Sequence, residues 1–308
     1  MNEAYHVPVL LEASIEALNL GDGGGAVMDA TFGGGGHSRA IMARLSKKGR
    51  LYSFDQDPDA RDNAIDDSQF TLIPANFRFA KQFLAVNGVE HVDGIIADLG
   101  VSSHQFDTAE RGFSLRMEGP LDMRMNPEAG VSAAELIEQS TWEELMVILR
   151  TNGEIIRPDK VARAIKTAQQ QNPIQSTGDF IKVLSKFAPV GRENKFYAQV
   201  FQALRIEVND ELTALKDLLN QATQILKPGG RLVIISYHSL EDRLVKHFMR
   251  SGNFEDQVAK DLKGQILAPF KQINRKAVIA TPEEVLLNPR ARSARLRIAE
   301  RTHYQVAS

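Results

Sequence analysis

The chain reads as an α/β fold: a parallel sheet with helices on both faces, interrupted by a helical insertion and then completed. Three observations predict this. Short apolar strands alternate with helical patterns from residue 26 to residue 100. No convincing strand occurs between about Gln105 and Val200. Strand-like segments return at 231–239 and 293–302. Short, continuously apolar strands separated by helices belong to a sheet covered on both faces.

Each element follows from its own pattern. Leu10, Leu11, Ala13, Ile15, Ala17 and Leu18 recur near helical spacing, and Gly21 with Gly23–Gly25 stops that helix. AVMDATF (26–32) is a first strand, running into Gly33–Gly36, and HSRAIMARL is the helix after it. RLYSFDQD (50–57) is a second strand ending in acids, and Pro58 opens a helix at its first turn. QFTLIPA (69–75), the helix RFAKQFLAVNG and VDGIIADLG (92–100) complete a β-α-β-α-β-α-β run. Helical stretches are then expected at 132–151, 158–171 and 178–187, followed by one long helix from about 196 into the KPGG turn at 227–230. RLVIISYHS (231–239) is a strand. SARLRIAERT (293–302) alternates like another, with Leu296 and Ile298 facing one way and Arg295 and Arg297 the other. The domains expected are therefore 1–105 with 200–308, forming the sheet, and 106–199, a helical insertion.

Composition narrows the chemistry. A chain of 308 residues, 43% hydrophobic and 25% charged, can bury a full core without disulfides. It has no cysteine, which excludes a thiol nucleophile, an iron–sulfur cluster and cysteine zinc ligands. No apolar run approaches the roughly 18 residues that span a bilayer. Glu3, Glu12 and Glu16 interrupt the N-terminal apolar residues, so a signal peptide is not expected and the default location is the cytoplasm. A net charge of −2 argues against bulk coating of nucleic acid, yet residues 271–301 hold eight Lys or Arg against three acids.

Several segments carry chemistry. DATFGGGGHS (29–38) joins a strand to a helix start through glycines, which let backbone approach a ligand and adopt positive φ. Asp55 closes the second strand about 20 residues beyond Gly35, where a carboxylate can take both ribose hydroxyls. That pair alone suits a nicotinamide dehydrogenase as well as a methyltransferase. The G-x-G-x-x-G spelling is missing, which disfavours a dinucleotide. Asp98 closes the fourth strand, so Asp29, Asp55 and Asp98 are expected at one edge of the sheet. In HSLEDR (238–243), Ser239 with Asp242 reads as a helix cap. The histidines are dispersed and no metal site is expected. Arg111, Arg116 and Arg124, and the four arginines of NPRARSARLR, suit phosphates and bases or a salt-bridged surface equally.

Taken together, DATFGGGGHS, DLGVSS, ERGFS, GPLDMRM, GGRLVIISYHSLEDR and NPRARS, in this order, resemble the RsmH (MraW) family over about Val7 to Thr302. The resemblance implies a class I S-adenosylmethionine methyltransferase, Rossmann-like, with a mostly parallel seven-stranded sheet and an inserted helical domain for RNA recognition. It implies N4-methylation of a cytidine in the decoding region of 16S ribosomal RNA within the small ribosomal subunit, with S-adenosyl-L-methionine as donor; the assembled subunit is the expected form, and free RNA stays open. Monomer and homodimer both stay open. By resemblance Gly35, Gly36 and His37 contact the cofactor, Asp55 binds its ribose, Phe77 lies beside the adenine, and Asp98 and Gln105 complete the site. Gly34 departs from the family, whose members commonly carry a larger residue there. Many amine methyltransferases follow the fourth strand with Asp/Asn-Pro-Pro-aromatic. Asp98-Leu99-Gly100 keeps only the acid, so Asp98 is expected to contact the cofactor first and to orient the amine second.

Overall fold

The computed structural model describes residues 8–304; Glu3 and Val7 lie outside them. Two compact units form, Met1–Gly100 with Thr213–Ser308, and Val101–Leu212.

The first unit is built on one seven-stranded sheet: β1 (Ala26–Asp29), β2 (Arg50–Phe54), β3 (Phe70–Ile73), β4 (Val92–Asp98), β5 (Leu226–Ser236), β6 (Phe270–Gln272) and β7 (Arg295–Arg301), in the order β3-β2-β1-β4-β5-β7-β6. β1 to β5 pair in parallel, and β7 runs antiparallel to both β5 and β6. The reversal is invisible in the alternation of 293–302, because period two carries no direction. β6 is only three residues long and gave no pattern to read. Between β4 and β5 the register jumps from Val92↔Leu226 to Gly94↔Arg231, so the KPGG segment bulges out of the ladder.

Helices cover both faces. α1 (Leu11–Leu18) and α2 (Gly36–Met42) bury Ile15, Leu18 and Ile41 against Val27, Leu51, Ile96, Val233, Ile235 and Leu296. On the other face α3 (Ala80–Val86) buries Leu84 with Met28, Phe54, Ile95 and Leu232. Consecutive strand residues thus serve opposite layers, as the pleat requires. Each such side chain is worth about 1.5–3 kcal/mol when fully buried.

The second unit is helical. α4 (Ser103–Asp107), α5 (Ala133–Gln139), α6 (Trp142–Thr151), α7 (Pro158–Gln171), α8 (Thr177–Leu184) and α9 (Glu193–Val208) enclose a separate core that includes Leu145, Leu149, Ile165, Phe180 and Leu204. The expected helix over 132–151 is two helices. Ser140 ends one and Thr141 caps the next, its side chain accepting from Glu144 N–H while Glu144 accepts from Thr141 N–H. The single long helix expected from 196 is also two, α9 and α10 (Glu211–Ile225), because Asp210 takes a left-handed φ of 48°. α10 then presents Leu215, Leu218, Leu219 and Ala222 to the sheet. Beyond β5 come α11 (Ser239–Ser251) and α12 (Pro282–Leu287). The turn at Pro58–Asn63 is 3-10 rather than α, capped by Asp57, whose side chain accepts from Asp59 N–H. Among the described residues no helix is long and apolar enough to cross a membrane.

Candidate active site

Three carboxylates stand at the carboxyl edge of the sheet, as expected, but they do different things. Asp29 ends β1 and is 1% exposed. One oxygen accepts Thr31 N–H at 3.0 Å and the other accepts Ser38 Oγ–H at 2.6 Å, with Ser53 Oγ 2.8 Å from Ser38 Oγ. Burial raises its pKa against those two donors. Its acceptors are thus spent inside the protein, where they lock the strand–turn–helix joint.

The glycine turn is held in two further ways. Gly35 caps α2 in the left-handed region at φ 76°, and its N–H donates to Phe32 C=O at 2.7 Å. A Cβ at Gly35 would lie 2.9 Å from the Phe32 ring and press on Arg39, and one at Gly36 would run into the Pro8 ring. Gly34 meets nothing within 4 Å and has no left-handed φ, so the side chain carried by relatives has room. The departure at this position leaves the cradle unchanged.

Asp55 follows β2. Its Oδ2 accepts Gly33 N–H at 2.7 Å and its Oδ1 accepts Asp57 N–H at 2.9 Å. It therefore fastens the glycine turn and the backbone of Asp57, the cap of the next segment, while each oxygen keeps a lone pair for a hydroxyl donor. Burial pushes its pKa up to about 6, the two N–H donors oppose this, and Asp57 and Asp29 add repulsion.

Asp98 ends β4. Its N–H donates to Thr31 Oγ1 at 2.6 Å, and its Oδ1 accepts the Tyr237 O–H at 2.7 Å. Oδ2 lies 3.8 Å from His37 Nδ1. Burial pushes Asp98 up to about 7, Tyr237 opposes it, and Asp29 and Glu241 add repulsion. The same burial lowers His37 to about 4, so its imidazole is neutral near pH 7 and this contact is no ion pair. His37 Nε2 is buried with no partner among the described residues. Phe77 follows β3 at a turn capped by Asn76, and it packs partly buried against the core.

Gly35, Gly36, His37, Asp55, Phe77 and Asp98 all belong to the first unit. Gln105 belongs to the second, where it is 4% exposed and closes a reciprocal cap with Ser102, accepting Ser102 N–H through Oε1 at 2.9 Å. The cap read at Ser239 and Asp242 is instead His238 with Glu241. Asp242 takes a bidentate pair from Arg297 at 2.6 and 3.0 Å, with Arg295 3.6 Å away. Among the other arginines, Arg111 donates to the carbonyls of Arg124 and Met125, and Arg124 grips Asp122. Arg116, Arg275 and Arg292 are exposed.

Sequence reasoning missed Ser38, Ser53, Thr31 and Tyr237. The readable signal for Tyr237 was a hydroxylated ring closing an otherwise aliphatic strand at the ligand edge.

A 3-2-1-4-5-7-6 sheet with a reversed seventh strand, a glycine cradle after β1 and acids after β2 and β4 defines a class I methyltransferase. The chain belongs to the MraW methylase family, which matches residues 3–302. A ribosomal RNA small subunit methyltransferase H of Phocaeicola vulgatus is 53% identical over 98% of this chain and 100% of its own length. That of Cytophaga hutchinsonii is 56% identical over 96% of this chain and 99% of its own length.

Proposed function

We propose that the protein transfers the methyl group of S-adenosyl-L-methionine to the N4 amine of a cytidine in the decoding region of 16S ribosomal RNA, within the assembled small subunit in the cytoplasm. The observation that carries this reading is end-to-end kinship with proteins named ribosomal RNA small subunit methyltransferase H.

The residues present suit the cofactor. Gly35 and Gly36 sit too close to the Phe32, Arg39 and Pro8 side chains to carry a Cβ, which keeps the turn bare backbone, and His37 Nε2 is a buried polar atom with no partner among the described residues. Asp55 offers acceptors to a ribose, and Phe77 offers a ring to an adenine. Gln105 joins this set on the family resemblance alone. When bound, the cofactor supplies an electrophilic methyl on a sulfonium; transfer to nitrogen leaves a neutral thioether and releases one proton from the amine.

The exocyclic amine of cytosine is a poor nucleophile, because its lone pair is delocalised into the ring. Asp98 contacts the cofactor first; as a carboxylate it also accepts an amine N–H and turns the lone pair toward the methyl group, and positioning of this kind supplies much of the rate. The target base has to leave its stack to reach the site. The helical unit 101–212 and the exposed arginines Arg116, Arg275 and Arg292 hold the RNA.

The test is transfer from labelled S-adenosylmethionine to small subunits lacking the modification, with naked RNA and the Asp98→Ala enzyme alongside and the product nucleoside identified by mass. N4-methylated cytidine on subunits is expected. Label in neither RNA, with cofactor still bound, overturns the reading. Titration of Asp55→Asn with S-adenosylmethionine tests the ribose contact separately.

A further inference from the structure

The segment from Tyr237 to Glu241 has no part in the reading above, yet it touches the residue on which that reading turns. Tyr237 is the first residue past β5, the strand paired beside β4, with Ile235 opposite Asp98 in the ladder. Its phenol reaches Asp98 Oδ1 at 2.7 Å. Its own backbone is pinned from behind, since Glu241 Oε2 accepts the N–H of Tyr237 at 2.9 Å and of His238 at 3.3 Å. Glu241 is 3% exposed and sits in the first turn of α11, where the His238 cap fixes it. A buried carboxylate thus anchors the strand end, the strand end aims a phenol, and the phenol occupies one oxygen of Asp98.

We propose that Tyr237 is a positioning residue for methyl transfer: by tying up Asp98 Oδ1 it fixes the carboxylate rotamer and reserves Oδ2 for the amine. The inference rests on the reading of Asp98 as the amine's acceptor.

The consequences separate the two oxygens. A carboxylate whose plane is free to rotate presents its acceptor lone pairs in many directions; one held at Oδ1, on a backbone that its N–H ties to Thr31, presents far fewer. The phenol stays a donor throughout, because burial and the charge of Asp98 both raise its pKa. Donation to the charged form favours ionisation of Asp98, which burial otherwise suppresses. The titratable groups around Asp98 are Asp29 from β1, His37 from α2, Tyr237 from the end of β5 and Glu241 from α11, while Glu284 of α12 acts on Tyr237. Of these, the phenol alone donates a hydrogen bond to the carboxylate.

The experiment compares wild type, Tyr237→Phe and Asp98→Asn in three measurements: cofactor affinity by calorimetry, the pH profile of kcat on subunits, and titration of Asp98 in cofactor-free protein by carboxyl-carbon NMR. Asp98→Asn serves to assign the NMR signal. The Phe variant is expected to bind cofactor as wild type does and to lose about tenfold in kcat, with KM for subunits unchanged. Its acid limb and the Asp98 titration should both move up by about one pH unit. Wild-type kcat and an unmoved titration in Tyr237→Phe, with Asp98→Asn inactive, overturn the role of Tyr237 and leave that of Asp98 standing. Full activity in Asp98→Asn overturns the underlying reading itself. Loss of cofactor affinity in Tyr237→Phe without any movement of the Asp98 titration means that the ring is merely structural, which also overturns the proposal.

Discussion

Ser38 Oγ–H donates to Asp29 Oδ2 across 2.6 Å, so the first turn of α2 is bolted to the last residue of β1 behind the glycine turn. Both side chains are buried. Ser38→Ala leaves one carboxylate oxygen without its donor, and an unsatisfied buried acceptor costs about 1–3 kcal/mol. Urea unfolding should show a loss of that size, together with weaker S-adenosylmethionine binding. An unchanged midpoint means that Asp29 finds another donor.

Two neighbouring glycines should respond differently. Gly35→Ala has to hold an L side chain at φ 76°, costing about 1–2 kcal/mol from conformation alone, and pushes its Cβ to 2.9 Å from Phe32. At about 1.4 kcal/mol per factor of ten, cofactor affinity should fall at least about tenfold. Gly34→Ala meets open space and should bind within about twofold of wild type. Calorimetry on both decides; equal losses would mean that the loop, not the single backbone position, is what the cofactor senses.

Stability of the cofactor-free protein should carry the mark of Asp98. Its folded pKa, about 7, lies above the unfolded value of about 3.9. Between those values the folded state binds more protons than the unfolded chain, so unfolding free energy falls as pH rises. The stability associated with the protonated acid is complete below about pH 4 and gone above about pH 7. Asp98→Asn takes up no proton, so its advantage over wild type should grow from about pH 4 to about pH 7 and then level off. Urea midpoints at pH 5, 6, 7 and 8 test this. Asp55 should behave alike, with its window closing near 6.

The pair between Asp242 and Arg297 links α11 to β7 with both residues less than a tenth exposed. Removing one partner strands a buried charge, and Asp242→Asn should cost about 3–5 kcal/mol. Adding Arg297→Met to it should restore part of that loss. Strict additivity in the double variant would contradict a closed pair.

Much of this was legible in the chain. Strand and helix alternation up to Asp98 follows from apolar runs and glycine stops, and the acids at strand ends fall where parallel strands bring them to one edge. What stayed hidden has physical reasons. The helix break at Asp210 depends on a backbone conformation; that at Ser140–Thr141 is spelled by the capping box of Thr141 with Glu144, a signal overridden by the apolar periodicity running through it. The direction of β7 is a long-range choice that period two cannot encode. The site residues missed were those whose partners are distant in sequence: Ser38 needs Asp29 and Ser53 in three dimensions, and Tyr237 lies 139 positions from Asp98. Arg297 reads as a solvated strand position; only α11, laid over it, turns it inward.

The order of the sheet also bears on how the chain comes off the ribosome. β4 is the centre of the finished sheet, but its partner β5 is synthesised only after all of 101–212. Until then the nascent half-sheet β3-β2-β1-β4 ends in an open edge, formed by a strand whose residues Gly94–Ala97 are wholly buried in the native protein. Unpaired apolar edges recruit other strands. An inserted unit with a core of its own can fold during that wait, which keeps its apolar helices away from the open edge until β5 arrives.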